Sequence, residues 1–283
     1  MARRAAVTQQ PPQQARSDPK TLAIDIGGTR LKAGILDGAG TMVAGPNRTN
    51  TPHPSPPRTI VATLAQLVEP LGPFDRISVG FPGVVRGGRI LTAPNLGTDA
   101  WHDFALATEL EARLGKPARV LNDASVQGLG VITGTGLECV ITLGTGFGFA
   151  LFEDGGLAPH LEMGQHPATK GKTYDLYLGA AALHKVGRKK WNRRLEKCIG
   201  FLDTLIMYDS LMIGGGNAQI IDFDLPANVR IVPNAAGITG GVRLWGPALD
   251  PIFATRAPGI RPPPEGVTPA PVVEPQPGLP IPK

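Results

Sequence analysis

A fifteen-residue pattern occurs twice in this chain and limits its fold more than any other feature. Ile24–Gly38 (IDIGGTRLKAGILDG) aligns with Ile141–Gly155 (ITLGTGFGFALFEDG) at an offset of 117 residues. Each copy reads as an apolar strand, a Gly/Thr tip, a second strand and an Asp-Gly turn, with a mismatch of Leu36 against Glu153. Such self-similarity predicts two related halves. A chance match between two glycine-rich hairpins is the alternative.

The glycine tips of the repeat suit an anionic ligand. Glycine lacks a Cβ atom, so the backbone can approach a ligand closely, and successive N–H groups then form a concavity for anions. A third glycine loop follows at Gly214–Gly216, whereas the GxxxxGK[ST] pattern of a P-loop is absent. The two tips therefore predict a polyphosphate held between two lobes.

The chain divides into a folded middle and two ends of biased composition. Residues 1–20 are rich in Gln, Pro and Arg, and residues 247–283 contain 12 prolines. Both ends are predicted to be disordered tails, the second a plain solubilising tail or a ligand for an SH3-type domain. Between them strands and helices alternate, which predicts an α/β fold with lobes at residues 21–120 and 121–246.

Composition excludes several classes of function. Apolar residues make up 42% and charged residues 18%, and the net charge of +5 suits an anionic substrate. The positive charge is not gathered on a recognisable nucleic-acid-binding module. Cys139 and Cys198 lie far apart and predict buried free thiols in a reducing compartment. With no signal peptide and no run of 18 apolar residues, we expect a cytoplasmic protein without a membrane span.

Two aspartates end predicted strands. Asp25 stands at the mouth of the first glycine tip, where a carboxylate can hold Mg²⁺ through water; a cap for its own turn is the alternative. Asn122 and Asp123 end the strand of ARVLNDA, just before a predicted helix, and ligands collect at such strand ends. Asp123 could accept the proton of a hydroxyl that attacks a phosphoryl group, while Asn122 holds a neighbouring hydroxyl. A helix N-cap at Asp123 is equally compatible with the pattern.

Two polar loops supply further candidates for a hydroxylated substrate. Asn95 lies in APNLGTDAW, and HLEMGQHP contains Glu162, Gln165 and His166. Asn and Glu beside glycine suit bidentate contacts to vicinal hydroxyls. For His166 a purely structural role is equally plausible.

Six motifs in order resemble one known family, across residues 22–245. AIDIGGTRLKAGILD, VGFPGVV, APNL…W, LNDA, TLGTGFGFALF and IGGGN together are similar to the repressor–open-reading-frame–kinase (ROK) group of sugar kinases. Within that group the chain resembles polyphosphate/ATP glucokinases. The resemblance implies an actin-like ATPase fold, in which two α/β lobes surround a cleft.

The resemblance also implies a role for each candidate residue. Asp123 would be the catalytic base for phosphorylation of glucose, with Mg²⁺ and with ATP, inorganic polyphosphate or both as donor. The hexose contacts would come from Asn95, Asn122, Asp123 and Glu162, with His166 as a further candidate. A homodimer is usual in the family. The phosphate and nucleotide site would comprise Asp25, Gly27, Gly28, Thr29, Lys32, Gly144, Thr145, Gly146, Gly214, Gly215 and Gly216.

Three departures from the family pattern matter. EMGQH places Gln165 where many members have His, which leaves the hexose contacts open and favours a non-catalytic sugar-binding sensor as the alternative. A kinase for mannose, fructose or an amino sugar is a separate alternative. The following QHPATKGKTYDLYLG lacks the family's cysteine-rich loop, so no structural zinc is expected. About twenty residues precede the first strand, too few for a helix-turn-helix, so binding to nucleic acid is not expected.

A basic segment follows the second lobe's hairpin. HKVGRKKWNRRLEK contains six Lys or Arg residues between Lys185 and Arg194. A solvated helix face explains this pattern; alternatively, the charges guide a long polyanion toward the cleft, with Lys170 and Lys172 extending the track.

Overall fold

The protein consists of two sheets flanked by helices. The computed structural model describes residues 18–233 and 235–254. The strands, in chain order, are β1 (Thr21–Ile26), β2 (Arg30–Leu36), β3 (Met42–Asn50), β4 (Arg76–Phe81), β5 (Val85–Arg86), β6 (Arg89–Ile90), β7 (Ala118–Asn122), β8 (Leu137–Leu143), β9 (Phe147–Glu153), β10 (Gly156–Leu157), β11 (Pro167–Thr169), β12 (Lys172–Thr173), β13 (Ser210–Gly214) and β14 (Val229–Ile231).

The two large sheets share one topology. Their strand orders are β3-β2-β1-β4-β7 and β10-β9-β8-β13-β14. In each sheet an antiparallel hairpin, β1-β2 or β8-β9, carries a third antiparallel strand on one side. On its other side the first hairpin strand begins a run of parallel strands. The repeated segments thus occupy equivalent positions, which confirms the prediction of two related halves.

The hairpin register corrects the ungapped alignment. Ile26 pairs with Leu31, whereas Leu143 pairs with Phe147. The first tip is therefore one residue longer, and the offset of 117 holds only for the first strand of each hairpin. A slip of one residue exchanges the two faces of a strand. Leu31 thus corresponds to Phe147, and both are buried.

Helices cover the sheets and complete their cores. Helix α1 places Ile60 and Leu64 one turn apart against the first sheet, while α7 places Trp191 and Leu195 against the second. The helices are α1 (Pro57–Val68), α2 (Thr98–Trp101), α3 (Leu106–Leu114), α4 (Asp123–Leu129), α5 (Tyr174–Leu178), α6 (Ala180–Val186), α7 (Arg188–Ile206), α8 (Ala236–Thr239) and α9 (Asp250–Ala254). None of those helices is long and apolar enough to cross a bilayer.

Helix α4 connects the two halves. It starts directly after β7, the last strand of the first sheet, so that sheet extends past the predicted lobe boundary at residue 120. Its Val126 and Leu129 pack with Val140 and Met212 of the second sheet. The residue that begins α4, Asp123, therefore stands where the halves meet.

The C-terminal part of the described chain returns to the first sheet. The Ser78 hydroxyl donates a hydrogen bond of 2.7 Å to the Gly241 carbonyl, and Trp245 Nε1 donates to Ser78 Oγ at 2.9 Å. Arg119 Nη1 donates to the Leu244 carbonyl at 2.7 Å. Residues 236–245 therefore pack against the first sheet, although they follow the second along the chain.

The predicted C-terminal tail begins too early. Pro247–Leu249 form a 3₁₀ turn and α9 follows, so the prediction of disorder is wrong for residues 247–254. Leu249 is buried, and the Arg119 guanidinium bonds Asp250 at 2.8 Å and lies over the Phe253 ring. These contacts stabilise an ordered conformation in a segment whose proline content alone predicts disorder. The predicted tail segments 1–17 and 255–283 lie outside the described residues.

A pair of truncations tests this packing. We expect a chain that ends at Gly246 to have a lower free energy of unfolding than one that ends at Ala254, by about 2–4 kcal/mol. The cost of exposing Leu249 alone is about 1.5–3 kcal/mol, and Arg119 loses two partners. Urea denaturation of both proteins measures the difference; equal midpoints and slopes would contradict it.

Candidate active site

The two glycine tips meet across one cleft. Thr29 Oγ1 and Thr145 Oγ1 lie 3.4 Å apart. A Cβ atom on Gly28 would lie 3.1 Å from Asn95 Cβ and 3.6 Å from Thr145 Cγ2, so only glycine lets the first tip come this close without displacing its neighbours. The hairpins that the repeat predicted to face each other do so.

In the first tip the carbonyl groups are bonded on the outer side. The Thr51 hydroxyl donates to the Gly27 carbonyl at 2.7 Å, and His53 Nε2 lies 3.2 Å from the Gly28 carbonyl oxygen. The N–H and C=O of a planar trans peptide point in opposite directions. The N–H groups of Gly28 and Thr29 therefore point away from Thr51 and His53.

The second tip is anchored in the same manner. The N–H of Ala180, at the start of α6, lies 2.9 Å from the Gly144 carbonyl and 3.2 Å from that of Thr145. Asn217 Nδ2 also donates to the Gly144 carbonyl, at 3.2 Å. The N–H groups of Thr145 and Gly146 therefore point away from α6. Consecutive amides of this kind form a concavity for phosphoryl oxygens.

A cleft of about 220 Å³ lies between the tips and the carboxyl ends of the parallel strands. Of the predicted site residues, Thr29, His166 and Gly214 are outside its lining, although Thr29 contacts the opposite tip. Gln127, Thr142 and Asp175 line it without having been predicted. The predicted residues that line it are Asp25, Gly27, Gly28, Lys32, Asn95, Asn122, Asp123, Gly144, Thr145, Gly146, Glu162, Gly215 and Gly216.

The residue that caps α4 is Asn122 and not Asp123. Asn122 is the N-cap of α4: its Oδ1 accepts from the N–H groups of Ala124 at 3.0 Å and Ser125 at 3.3 Å. Its Nδ2 donates to the Gly83 carbonyl at 3.2 Å. Capping thus falls to Asn122, and Asp123, at the first helical position, is left to line the cleft.

Burial changes the acidity of Asp123. Loss of solvent raises the pKa of its carboxyl to about 7, and the negative charges of Asp25 and Glu162 add to this increase. A hydrogen bond of 2.8 Å from the Ala124 N–H opposes it. A carboxylate whose pKa lies near neutrality is suited to accept and release a proton at physiological pH.

Asp25 fits the chemistry of a magnesium site. Its Oδ2 forms an ion pair with Lys32 Nζ at 2.7 Å, and the carboxylate is partly exposed at the cleft. Mg²⁺ prefers oxygen ligands, keeps several waters, and binds through one or two carboxylates plus substrate phosphates. Within residues 18–233 and 235–254, no cluster of three or more His, Cys, Asp or Glu side chains is placed to hold a metal ion.

Asp175 joins the second tip to the Glu162 loop. Its Oδ1 accepts from the Phe147 N–H at 2.6 Å, and its Oδ2 accepts from Gln165 Nε2 at 2.7 Å. Burial is the main reason that its pKa is raised to about 6. Gln165, the departure from the family pattern, therefore has a structural partner. In the sequence Asp175 looks like an ordinary acid in the first turn of a helix, so no pattern singled it out.

His166 does not reach the cleft. The turn Met163–Gln165 ends just before it, and its exposed side chain lies beside Tyr174, with ring centroids 6.3 Å apart. This placement is evidence against the predicted sugar contact by His166. Glu162, on the other side of the turn, faces the cleft and lies 3.4 Å from His160 Nε2.

Two related α/β halves around such a cleft define the actin-like fold of sugar kinases. A family model described as the ROK family matches residues 21–166. The polyphosphate glucokinase of Mycobacterium tuberculosis (strain CDC 1551 / Oshkosh) is 30% identical over 234 residues, which cover 77% of this chain and 88% of the relative.

Solved structures agree with the sequence matches. The inorganic polyphosphate/ATP-glucomannokinase of Arthrobacter sp. strain KM has a TM-score of 0.72 at 30% identity, over 80% of this chain and 97% of the other. A ROK family glucokinase from Streptomyces griseus, in complex with glucose and AMPPNP, has a TM-score of 0.71 at 19% identity, over 80% and 98%. The chain belongs to the ROK family, and it is a sugar kinase of that family.

The pKa of Asp123 predicts a pH-dependent stability. The folded state holds the proton more tightly than the unfolded chain, so this group's stabilising contribution is complete below about pH 4 and is lost as the pH rises toward 7. We expect Asp123→Asn to be increasingly more stable than the wild type between pH 5 and pH 8. At about 1.4 kcal/mol per pKa unit, the full change is at most about 4 kcal/mol.

Urea denaturation of both proteins across this range measures the effect. Asp175 titrates in both, so the difference between them isolates Asp123. A difference in the free energy of unfolding that stays constant from pH 5 to pH 8 would contradict the raised pKa.

Proposed function

We propose that this protein is a glucokinase that transfers a phosphoryl group from inorganic polyphosphate, ATP or both to the 6-hydroxyl of glucose. The observation that carries the proposal is the position and acidity of Asp123. Its carboxyl, with a pKa of about 7, lines the cleft between the two glycine tips and beside the hexose candidates Asn95 and Glu162.

The residues divide into an acceptor side and a donor side. Asp123 accepts the proton of the sugar hydroxyl while that oxygen bonds to the terminal phosphorus and the bond to the leaving phosphoryl oxygen breaks. The amides of the glycine tips hold the donor's phosphoryl oxygens in line. Phosphoryl transfer depends mainly on such positioning and on charge neutralisation.

Magnesium would be held on the donor side by Asp25, through water. When bound, the ion neutralises charge on the donor phosphates. The Asp25 carboxylate would hold the ion's water ligands, and Lys32 keeps that carboxylate in place through the 2.7 Å ion pair.

Glucose is the first choice of acceptor because the relatives' names agree on it most often. The M. tuberculosis relative is a polyphosphate glucokinase, and a glucokinase of Streptomyces coelicolor is 35% identical over 138 residues. The Arthrobacter protein is a glucomannokinase, and an Escherichia coli N-acetylmannosamine kinase is 31% identical over 153 residues. A panel containing glucose, mannose, fructose and N-acetylmannosamine therefore tests the acceptor.

Substitution of the base tests the reaction. We expect Asp123→Asn to lower kcat by at least about 100-fold with either donor, since general-base catalysis contributes 10²–10⁴-fold. Formation of glucose 6-phosphate is the measurement. Asp203→Asn, an exposed aspartate on α7, is the matched control and should keep wild-type turnover. Substantial turnover in Asp123→Asn would remove the base assignment.

A non-catalytic sugar sensor is the outcome that would replace this proposal. Isothermal titration would then show hexose binding by the wild type, with no turnover on any sugar or donor. Gln165 was the sequence feature that favoured it, but its bond to Asp175 gives that residue a structural role.

The basic segment starts beside the glycine loop of the cleft. Helix α7 begins at Arg188, whose Nε donates to the Ile220 carbonyl at 3.0 Å, in the turn that Gly216 opens. Arg188, Lys189 and Lys190 are exposed. A long polyanion that leaves the cleft past Gly216 would therefore meet these charges, which favours polyphosphate as a donor.

Removal of this charge tests the track. We expect replacement of Arg188, Lys189 and Lys190 by Ala to raise the KM for polyphosphate about tenfold at low salt, with a smaller change in the KM for ATP. The control replaces three exposed basic residues on the first half, Arg86, Arg113 and Lys116. If the KM values for both donors rise equally, or if both triple variants change the KM for polyphosphate equally, the basic segment is only a solvated helix face.

A further inference from the structure

One buried amide on the cleft wall lacks a hydrogen-bond partner. Gln127 is only 5% exposed, and its Nε2 has no partner within the described residues. A buried donor left without a partner destabilises a fold, and native structures rarely keep one without a reason. Gln127 also lines the cleft, so a ligand there can supply the missing acceptor when the amide rotates toward it.

The position of Gln127 relates it to the proposed base. Helix α4 runs Asp123–Leu129, and residues four apart lie on the same side of a helix. The Gln127 side chain therefore stands one turn deeper in the cleft than the Asp123 carboxyl. Its place one turn along α4 offers it a different part of the bound substrates from the hydroxyl that Asp123 deprotonates.

Its surroundings belong to the donor side. A Cβ atom on Gly214 would collide with the Gln127 amide, and Gly214 pairs with Thr142 at the carboxyl ends of β13 and β8. Thr142, Gly215 and Gly144 line this part of the cleft. The hexose candidates Asn95 and Glu162 come from other loops.

The amide is free to turn toward a ligand. Rotation about the terminal bond of Gln exchanges its oxygen and nitrogen, and that torsion is broad and roughly two-fold. No hydrogen bond of Nε2 within the described residues opposes the rotation. A phosphoryl oxygen, which is an anionic acceptor, satisfies an amide N–H more strongly than a neutral group does.

We propose that the Gln127 side-chain amide binds a phosphoryl oxygen of the donor from the floor of the cleft. This inference rests on the proposed function, because it takes the donor to be a polyphosphate chain or a nucleotide. It adds a side-chain contact to the backbone contacts of the two glycine tips. Glycine at position 214 leaves the space that the amide occupies in the free protein.

The test compares donor binding with sugar binding. Gln127→Met keeps the length of the side chain but removes the amide, and Gln127→Glu adds a negative charge. Gln66→Met, on the exposed face of α1, is the matched control. Isothermal titration with AMPPNP, with tripolyphosphate and with glucose gives the affinities, and circular dichroism shows whether each variant is folded.

We expect Gln127→Met to bind AMPPNP and tripolyphosphate at least about tenfold more weakly, as befits one hydrogen bond to a charged group. Glucose affinity should stay within about twofold of the wild type. Gln127→Glu should bind both donors more weakly still, through charge repulsion, and it carries the test if Gln127→Met does not fold. The thermal midpoint of free Gln127→Met should not fall, because the free protein loses no hydrogen bond.

Three results would overturn the inference. The first is donor affinity within about twofold of the wild type in the folded variants. The second is an equal loss of glucose and donor affinity, which would indicate general damage to the cleft. The third is a wild type that binds neither donor. A wild type that binds a donor but phosphorylates no sugar refutes the proposed function. The donor affinities of the Gln127 variants still test the inference in that case.

Discussion

The structure depends on the contact between two bends of nearly bare backbone, one from each half of the chain. Glycine removes the side chains that would hold these bends apart, and carbonyl groups bonded on the outer sides leave successive amides available for a ligand. The Thr51 hydroxyl and the α6 N–H of Ala180 supply these outer bonds. Residues that do not line the cleft therefore fix the conformation of the two tips that do.

Helix α4 places the Asp123 carboxyl at the cleft between the two glycine tips. Its capping by Asn122 leaves the Asp123 carboxyl at the cleft, where that residue is partly buried between the two halves. Burial and the charges of Asp25 and Glu162 act in one direction, toward a pKa near neutrality. The same arrangement that destabilises the charged form in the free protein makes it a suitable proton acceptor. Stability and function are thus opposed at this residue, as is common in active sites.

Much of the lining of this cleft was predictable because its signals are local. A glycine tip between two apolar strands, or an Asp at a strand end before a helix, is visible within about ten residues of sequence. Contacts between residues that are distant in the sequence were not predictable. Asp175 contacts Phe147 and Gln165 only after the chain has folded, and His166 lies exposed beside Tyr174 rather than in the lining of the cleft.

The sequence by itself determined the duplicated hairpins, the α/β class and the acids at the strand ends, because each follows from hydrophobic periodicity, glycine and short spacing. Only the tertiary structure decided the one-residue difference between the two tips, the capping role of Asn122 and the packing of residues 247–254 on Arg119. Asn122 and Asp123 compete for the same N–H group of α4, and Arg119 lies 131 residues from its partner Asp250 in the sequence. Such a competition is settled only when the whole chain is folded.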